Sequence, residues 1–238
     1  MTAPTVVLVH GAFAESSSWN AVIGHLQREM LEVVAAANPL RSVAGDAQYV
    51  RDVIASIDGP VVLVGHSYGG MVITEAAAGN TQVVGLVYVA AFTPESGETA
   101  FALSAKFPGS TLGEALTAYP VSTGGNELAI RPEVFGEQFA ADVDADLSAL
   151  MAATQRPVTE TALTDGLAAA EPAWRTIPSW FVFGSEDRNI PAELIRFMAE
   201  RADARTSTEV PGASHAIAVS HPVVVAETIL AAVQATKQ

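Results

Sequence analysis

Short apolar runs alternate along the chain with longer segments whose apolar residues recur at helical spacing. Six of the runs predict β-strands, at Val6–Val9, Val33–Ala36, Val61–Val64, Val83–Val89, Trp180–Phe183 and Thr206–Val210. Several of these runs are apolar throughout instead of alternating with polar residues. That pattern is typical of strands that are covered on both faces, as in a parallel sheet.

Helical spacing predicts five helices between and after these strands. They run from Ser18 to about Met30, from Asp46 to about Ile57, from Gly69 to Ala78, from Pro191 to Ala202, and from Pro222 toward Gln234. Ser18 is of a type that caps helices, and proline is favoured at a first helical position. The order of elements predicts an α/β fold, with a doubly wound, mostly parallel sheet of about six strands.

Residues 93–172 interrupt this alternation after the fourth strand and contain no clear strand pattern. Pro132–Phe139 and Leu147–Thr154 have helical patterns within the interruption. We therefore expect an α/β core formed by residues 1–92 and 173–238, with residues 93–172 inserted as a helical cap. A peripheral helical insertion with its own small core is the alternative.

Aromatic residues are candidates for the lining of a substrate pocket beneath such a cap. Ligand sites in these sheets lie beyond the carboxyl ends of the strands, where the cap would stand. The candidates are Phe13, Phe101, Tyr119, Phe135 and Phe139. Packing within a core explains such residues nearly as well.

Composition and charge narrow the class of function. Of the 238 residues, half are hydrophobic and 16% are charged, the formal net charge is −14, and there is no cysteine. These values exclude a disordered chain, disulfides and thiolate metal sites, and they disfavour nucleic acid as a partner. The longest apolar run, Val83–Phe92, is too short to span a bilayer. We expect a soluble, cytoplasmic protein whose partner is a small-molecule substrate, and we leave the oligomeric state open.

The segment Gly65-His66-Ser67-Tyr68-Gly69 carries the clearest chemical signal. It follows a predicted strand and precedes a predicted helix, which is the context required for a G-x-S-x-G nucleophile elbow. The sharp turn lifts the serine hydroxyl clear of the sheet and aims helix amides at the space beside it. Ser67 is therefore the candidate nucleophile.

A glycine turn after the first strand, Val7-Leu8-Val9-His10-Gly11-Ala12-Phe13, can present a backbone N–H toward the same space. We assign the two oxyanion donors to the amides of Ala12 and Tyr68. A simple strand-to-helix turn is the alternative for this segment. His10 is expected to order the loop and not to transfer protons.

A serine nucleophile needs a base, and the base needs a carboxylate to orient it. His215 follows a loop that leaves the last strand and is the preferred base, with His221 as its rival. Asp187 follows another strand and is the preferred acid, with Glu186 as its first rival. Glu95 and Glu98 are less favoured alternatives for the acid. His25 is expected to lie on the surface or in the packing of a helix, and His66 to pack or hydrogen-bond beneath the turn, so neither is a candidate for the base.

Four segments together resemble the α/β-hydrolase superfamily: V-L-V-H-G-A-F, G-H-S-Y-G-G, F-G-S-E-D-R-N-I-P and P-G-A-S-H. Within it, the chain is most similar to small bacterial esterases akin to the plant salicylate methyl esterase and hydroxynitrile lyase group. The resemblance implies a triad of Ser67, Asp187 and His215, with the amides of Ala12 and Tyr68 as oxyanion donors. It implies no metal or organic cofactor.

The resemblance also separates two chemistries within that group. The lyases carry threonine after the histidine of the first turn and lysine after the catalytic histidine, whereas this chain has Gly11 and Ala216. We therefore predict a carboxylic ester hydrolase that forms an acyl-enzyme on a small apolar or aromatic substrate. The alternatives are lactone or carbon–carbon hydrolysis, perhydrolysis, hydroxynitrile lysis, or ligand binding without turnover.

Overall fold

The computed structural model describes residues 3–122 and 124–237, so Met1, Thr2 and Gln238 of the predicted core and Thr123 of the predicted cap lie outside the described residues. The first part of the chain alternates strands and helices. Its elements are β1 (Thr5–Val9), α1 (Asn20–Arg28), β2 (Val33–Ala36), α2 (Val43–Ala55), β3 (Val61–His66), α3 (Gly69–Ala77) and β4 (Val83–Val89). A short 3-10 helix at Ser16–Trp19 precedes α1.

Helices α1 and α2 begin at other residues than the sequence predicted. The Ser18 hydroxyl donates to the carbonyl of Glu15 within the 3-10 helix, so Ser18 does not cap α1. Helix α2 begins before Asp46 because the side chain of Ser42 accepts a hydrogen bond from the amide of Gly45 and caps the helix there.

The segment between β4 and the next core strand contains helices and a small antiparallel sheet. Its elements are α4 (Ala100–Ser104), α5 (Leu112–Ala115), β5 (Leu116–Pro120), β6 (Asn126–Ile130), α6 (Pro132–Phe139), α7 (Ala145–Thr154), β7 (Val158–Thr159) and α8 (Glu160–Thr164). Helix α6 has the predicted bounds, and α7 begins at Ala145 instead of the predicted Leu147 and ends at Thr154 as predicted. The sheet, in the order β5-β6-β7, was not predicted, because β5 is largely exposed, β6 is mostly half-buried, and neither has a continuous apolar run along its length.

Hydrogen bonds fasten this inserted segment, the cap, to the core at several places, including one around Arg41 and one at the Arg188 carbonyl. At the first, the amide of Thr159 donates to Leu40, its hydroxyl donates to the Arg41 carbonyl, and the Arg41 guanidinium donates to the carbonyl of Pro157. At the second, the Arg188 carbonyl accepts hydrogen bonds from the Thr111 amide and from the side chain of Gln138.

The last part of the chain returns to the core. It comprises β8 (Ser179–Gly184), α9 (Ala192–Arg201), β9 (Thr206–Val210), α10 (Ile217–Ser220) and α11 (Pro222–Ala235). Pro222 is the first residue of α11, as predicted, whereas Pro191 precedes α9 as its N-cap.

Six parallel strands form the central sheet in the order β2-β1-β3-β4-β8-β9, which confirms the predicted doubly wound architecture. Helices cover both faces, with α1 packed against α11 and α2 packed against α3. The side chains of β1, β3 and β8 are all buried, as apolar strands between two helical layers require. Among the described residues, no helix is both long and apolar enough to cross a membrane.

Candidate active site

Ser67 lies at the sharp turn between β3 and α3, in a backbone conformation that is unfavourable for a side chain. Its φ is 55°, in the left-handed region. The turn is held from both sides: the Ser67 amide donates to Val89, 3.2 Å away, and the Ser67 carbonyl accepts from Gly70 and Phe92, at 3.0 and 3.2 Å. Strain that the surroundings hold in place is a common property of functional sites.

Glycine is required on both sides of Ser67 for steric reasons. A Cβ atom on Gly65 would lie 2.6 Å from the carbonyl oxygen of Gly69, and a Cβ atom on Gly69 would lie 2.4 Å from the carbonyl oxygen of Val9. Both neighbours are backbone atoms of packed elements and cannot turn aside. The elbow predicted from the glycine spacing is therefore the turn that the structure contains.

The loop after β1 lies directly against this turn. A Cβ atom on Gly11 would lie only 2.6 Å from the Cβ atom of Ser67. The next residue, Ala12, lines a cavity together with Ser67 and Tyr68. The amides of Ala12 and Tyr68 donate to no group in the described part of the chain.

Asp187 and His215 form a buried pair. Asp187 Oδ2 lies 2.7 Å from His215 Nδ1, and both side chains are inaccessible to solvent. The other carboxylate oxygen of Asp187 accepts from the amides of Asn189 and Ile190, at 2.8 and 2.9 Å. Because a carboxylate only accepts, Nδ1 carries the proton and Nε2 is left as the free, basic nitrogen.

His215 Nε2 has no hydrogen-bond partner among the described residues, Ser67 included. The two segments are nevertheless adjacent. His66, the neighbour of Ser67 in the chain, donates through Nε2 to the carbonyl of His215, 3.0 Å away, and the two ring centroids lie 4.7 Å apart. Burial, and next the proximity of His215, hold the pKa of His66 well below its usual range, so His66 is neutral at pH 7.

The rival acids lie elsewhere. Glu186 precedes Asp187 in the chain, but its side chain is exposed and forms no hydrogen bond with His215. Glu95 is paired with Arg175, and Glu98 is paired with Arg201.

The other histidines also have separate partners. His10 donates through Nδ1 to the carbonyl of Gly11, 2.9 Å away, and burial lowers its pKa to about 4. His221 Nδ1 lies 3.3 Å from Asp142 Oδ2, and His25 Nδ1 accepts a hydrogen bond from Arg28.

A buried carboxylate behind Tyr68 was not identified from the sequence. The Tyr68 hydroxyl donates to Asp46 Oδ2, 2.9 Å away, and the amide of Arg41 donates to Asp46 Oδ1 at 3.0 Å. Burial raises the pKa of Asp46, and burial together with Asp46 raises that of Tyr68 well above its usual range. The available signal was an acidic residue at a position that shares the buried face of α2 with Val43, Ala47 and Val50.

Ser67 opens onto a cavity of about 670 Å³ beneath the cap. Two of the five aromatic candidates, Phe13 and Phe101, line it. Eight further apolar residues line it: Phe92, Ala100, Ala105, Leu112, Leu116, Leu128, Leu163 and Ile190. Besides Ser67, the uncharged polar lining residues include Ser104, Ser110, Thr161, Thr164 and Asn189. Glu160 is the one charged residue in the described lining, and it is exposed. Within residues 3–122 and 124–237, no cluster of metal-ligating side chains occurs.

The other three aromatic candidates do not line this cavity, which corrects the sequence interpretation. Phe135 and Phe139 are fully buried and stack on each other, with ring centroids 5.0 Å apart, and Phe139 packs edge-on against His215. Tyr119 lies on the surface, where its hydroxyl donates to Glu127.

Known proteins of similar fold include hydrolases. The structure of polyneuridine aldehyde esterase superposes with a TM-score of 0.82, at 21% identity, over 97% of this chain and 99% of that protein. A pyrethroid hydrolase from Sphingobium faniae JZ-2 gives a TM-score of 0.77 at 23% identity over 98% of both chains. A carbendazim hydrolyzing esterase from Nocardioides sp. (strain SG-4G) is 46% identical over 63 residues, which are 24% of this chain and 26% of that relative.

The family model described as the alpha/beta hydrolase family matches residues 6–228. This range begins in β1, ends in α11 and includes the inserted cap. Since the match spans nearly the whole sheet and its helices, the chain belongs to the alpha/beta hydrolase family, as its motifs predicted.

Proposed function

We propose that this protein is a serine hydrolase that cleaves a carboxylic ester of a small apolar or aromatic substrate through an acyl-enzyme on Ser67. The observation that carries the proposal is the buried hydrogen bond between Asp187 and His215, which leaves Nε2 free next to the strained turn that bears Ser67. An oriented imidazole beside a serine on such a turn is the arrangement that acyl transfer requires.

In the proposed reaction, the Ser67 hydroxyl rotates about χ1 toward His215 Nε2 and attacks the ester carbonyl while the imidazole takes its proton. Asp187 holds the imidazole in the required tautomer and stabilises the imidazolium. The amides of Ala12 and Tyr68 stabilise the oxyanion. His215 then protonates the leaving alcohol, and a water molecule that the same histidine deprotonates releases the acid and restores Ser67.

The cavity supports a neutral, apolar substrate. Its described lining is mainly aliphatic and aromatic and contains no cationic side chain to pair with a carboxylate or phosphate. The net charge of −14 also disfavours anionic substrates. The names of similar proteins, a pyrethroid hydrolase and a carbendazim hydrolyzing esterase, are consistent with this class of substrate.

Two positions favour hydrolysis over hydroxynitrile lysis. A threonine at position 11, which the lyases of the resembling group carry, would place its Cβ against Ser67 in this backbone. Ala216, where those lyases carry a cationic lysine, is a buried alanine and offers no charge to a departing cyanide.

The substitution Ser67→Ala tests the proposal, with Ser104→Ala as the matched control. Ser104 also lines the cavity, but its hydroxyl donates only to the carbonyl of Ala100 in its own helix. With 4-nitrophenyl butyrate as substrate, we expect Ser67→Ala to lose about four or more orders of magnitude in kcat. We expect Ser104→Ala to keep most of the activity. A fluorophosphonate probe should label the wild-type protein on the peptide that contains Ser67.

Retention of activity by a folded Ser67→Ala protein would contradict the proposal. So would labelling that maps to another serine, such as Ser104. Circular dichroism of each variant distinguishes loss of chemistry from loss of fold.

A further inference from the structure

We infer that Phe13 limits the length of the substrate by separating the catalytic cavity from a second, adjoining groove. The inference rests on the proposed ester hydrolysis and adds a specificity-determining residue to it. Phe13 is in contact with both spaces: the cavity of about 670 Å³ that contains Ser67, and a groove of about 430 Å³ between core and cap. Its side chain is almost wholly buried between them.

The backbone keeps Phe13 in this position. Its φ is 61°, in the left-handed region, and its amide donates to the carbonyl of Arg156 in the cap, 3.1 Å away. The residue before it, Ala12, supplies one of the proposed oxyanion amides. The separating side chain therefore stands one residue from the reacting centre, so an opening here would admit the end of a chain whose carbonyl is held at Ser67.

The groove has the chemistry to receive an apolar chain. Its apolar lining includes Leu147, Leu150 and Met151 of α7 on the cap side and Ala14 and Ala21 on the core side, and polar side chains such as Glu15 and Gln155 line the rest. Leu147 and Leu150 are 42% and 60% exposed, which is high for leucine. An alkyl chain that continued from the cavity into the groove would cover them.

The substitution Phe13→Ala should join the two spaces. The quantity to measure is the ratio of kcat/KM for 4-nitrophenyl decanoate to that for 4-nitrophenyl butyrate. A loss of general activity caused by the neighbouring Ala12 cancels in this ratio. Each methylene group that becomes buried increases binding about fourfold, so we expect the ratio to rise at least tenfold over that of the wild-type protein.

Ala21→Trp provides the control, because Ala21 is exposed and lines the groove but not the cavity. In the wild-type background this substitution should leave both esters unaffected. In the Phe13→Ala background the indole should fill the groove and return the ratio to the wild-type value. Circular dichroism of the three variants verifies that each is folded.

The affinity of the same proteins for an alkyl chain can be measured without catalysis, by calorimetric titration with 1-decanol. We expect at least tenfold tighter binding for Phe13→Ala, reversed by the added Ala21→Trp. An unchanged ratio and unchanged binding in a folded Phe13→Ala protein would overturn the inference. A gain that Ala21→Trp does not reverse would also overturn it, because the chain would then be accommodated within the cavity. A wild-type protein that hydrolyses neither ester would instead refute the proposed function, and the titration would still decide the role of Phe13.

Discussion

Gly11→Ala is the substitution that most directly tests the close contact between the β1 loop and the serine turn. The added Cβ would lie 2.6 Å from the Cβ atom of Ser67 and 2.7 Å from the carbonyl oxygen of His66. Ordinary carbon–carbon contacts are about 3.5–4.0 Å, so the loop or the turn must move by about 1 Å.

That displacement sets the expected loss of catalytic rate and the expected loss of stability. A shift of about 1 Å in a catalytic constellation costs roughly a hundredfold in rate, and here it falls between the two proposed oxyanion donors, Ala12 and Tyr68. Forcing a methyl group into a packed site also costs about 1–3 kcal/mol of stability. We therefore expect kcat to fall about a hundredfold and the free energy of unfolding to fall by about 2 kcal/mol.

Steady-state hydrolysis of 4-nitrophenyl butyrate and urea denaturation measure these two quantities, and Gly24→Ala is the matched control. A Cβ atom on Gly24 would meet nothing closer than the flexible end of Arg28, 3.9 Å away. Because Gly24 lies within α1, that variant should gain up to about 1 kcal/mol and keep its kcat. Wild-type kcat and stability in Gly11→Ala would refute the reasoning, because the loop would then be free to move without cost.

Two further predictions concern buried polar groups. Tyr68→Phe removes the hydroxyl that donates to buried Asp46. The free energy of unfolding at pH 7, measured by urea denaturation, should therefore fall by about 2 kcal/mol. An unchanged denaturation midpoint would show that this hydrogen bond does not contribute to stability. His10 and His66 have pKa values below 6.5 in the folded state, with that of His10 at about 4, whereas the unfolded chain binds protons near pH 6.5. Stability should therefore be fully present above pH 6.5 and decline as the pH falls toward 4, by about 3 kcal/mol from His10 alone. His10→Asn should make the decline shallower, and an equally steep decline in that variant would exclude His10 as a cause.

The central strands were predictable because burial on both faces requires uninterrupted apolar runs. β4, which is buried along nearly its whole length, begins and ends at the predicted residues. The edge strands β2 and β9 also have the predicted bounds, although they are only partly buried. The cap strands β5 and β6 were not predictable in this way, since neither shows a continuous apolar run or a clear alternation. They pair as a hairpin whose strands are separated by five residues in the chain, and the available sequence signal was the Gly124-Gly125 pair between them, not the periodicity of the strands.

The same distinction applies to the candidate site. Asp187 and His215 each follow a core strand, and the structure brings them into contact. The sequence indicated Phe139 only as a candidate for the pocket lining, because its contact with His215 joins two segments that are distant in the chain. Asp46 was assigned only to the start of a helix, because its partner Tyr68 lies in another element.

The attachments of the cap at Arg41 and at the Arg188 carbonyl limit how molecules enter and leave. Swinging the cap away as one body would break at least the three hydrogen bonds around Arg41 and the two at the Arg188 carbonyl, besides others such as that from the Phe13 amide to Arg156. At about 1 kcal/mol each, such an open form would be populated by well under one molecule in a thousand. Substrate and product are therefore expected to pass through a local opening at α4. Phe101 of this helix lines the cavity, is 69% exposed and takes no part in either attachment. Changes at α4 should alter the rates of substrate entry and product release while the rest of the cap stays closed.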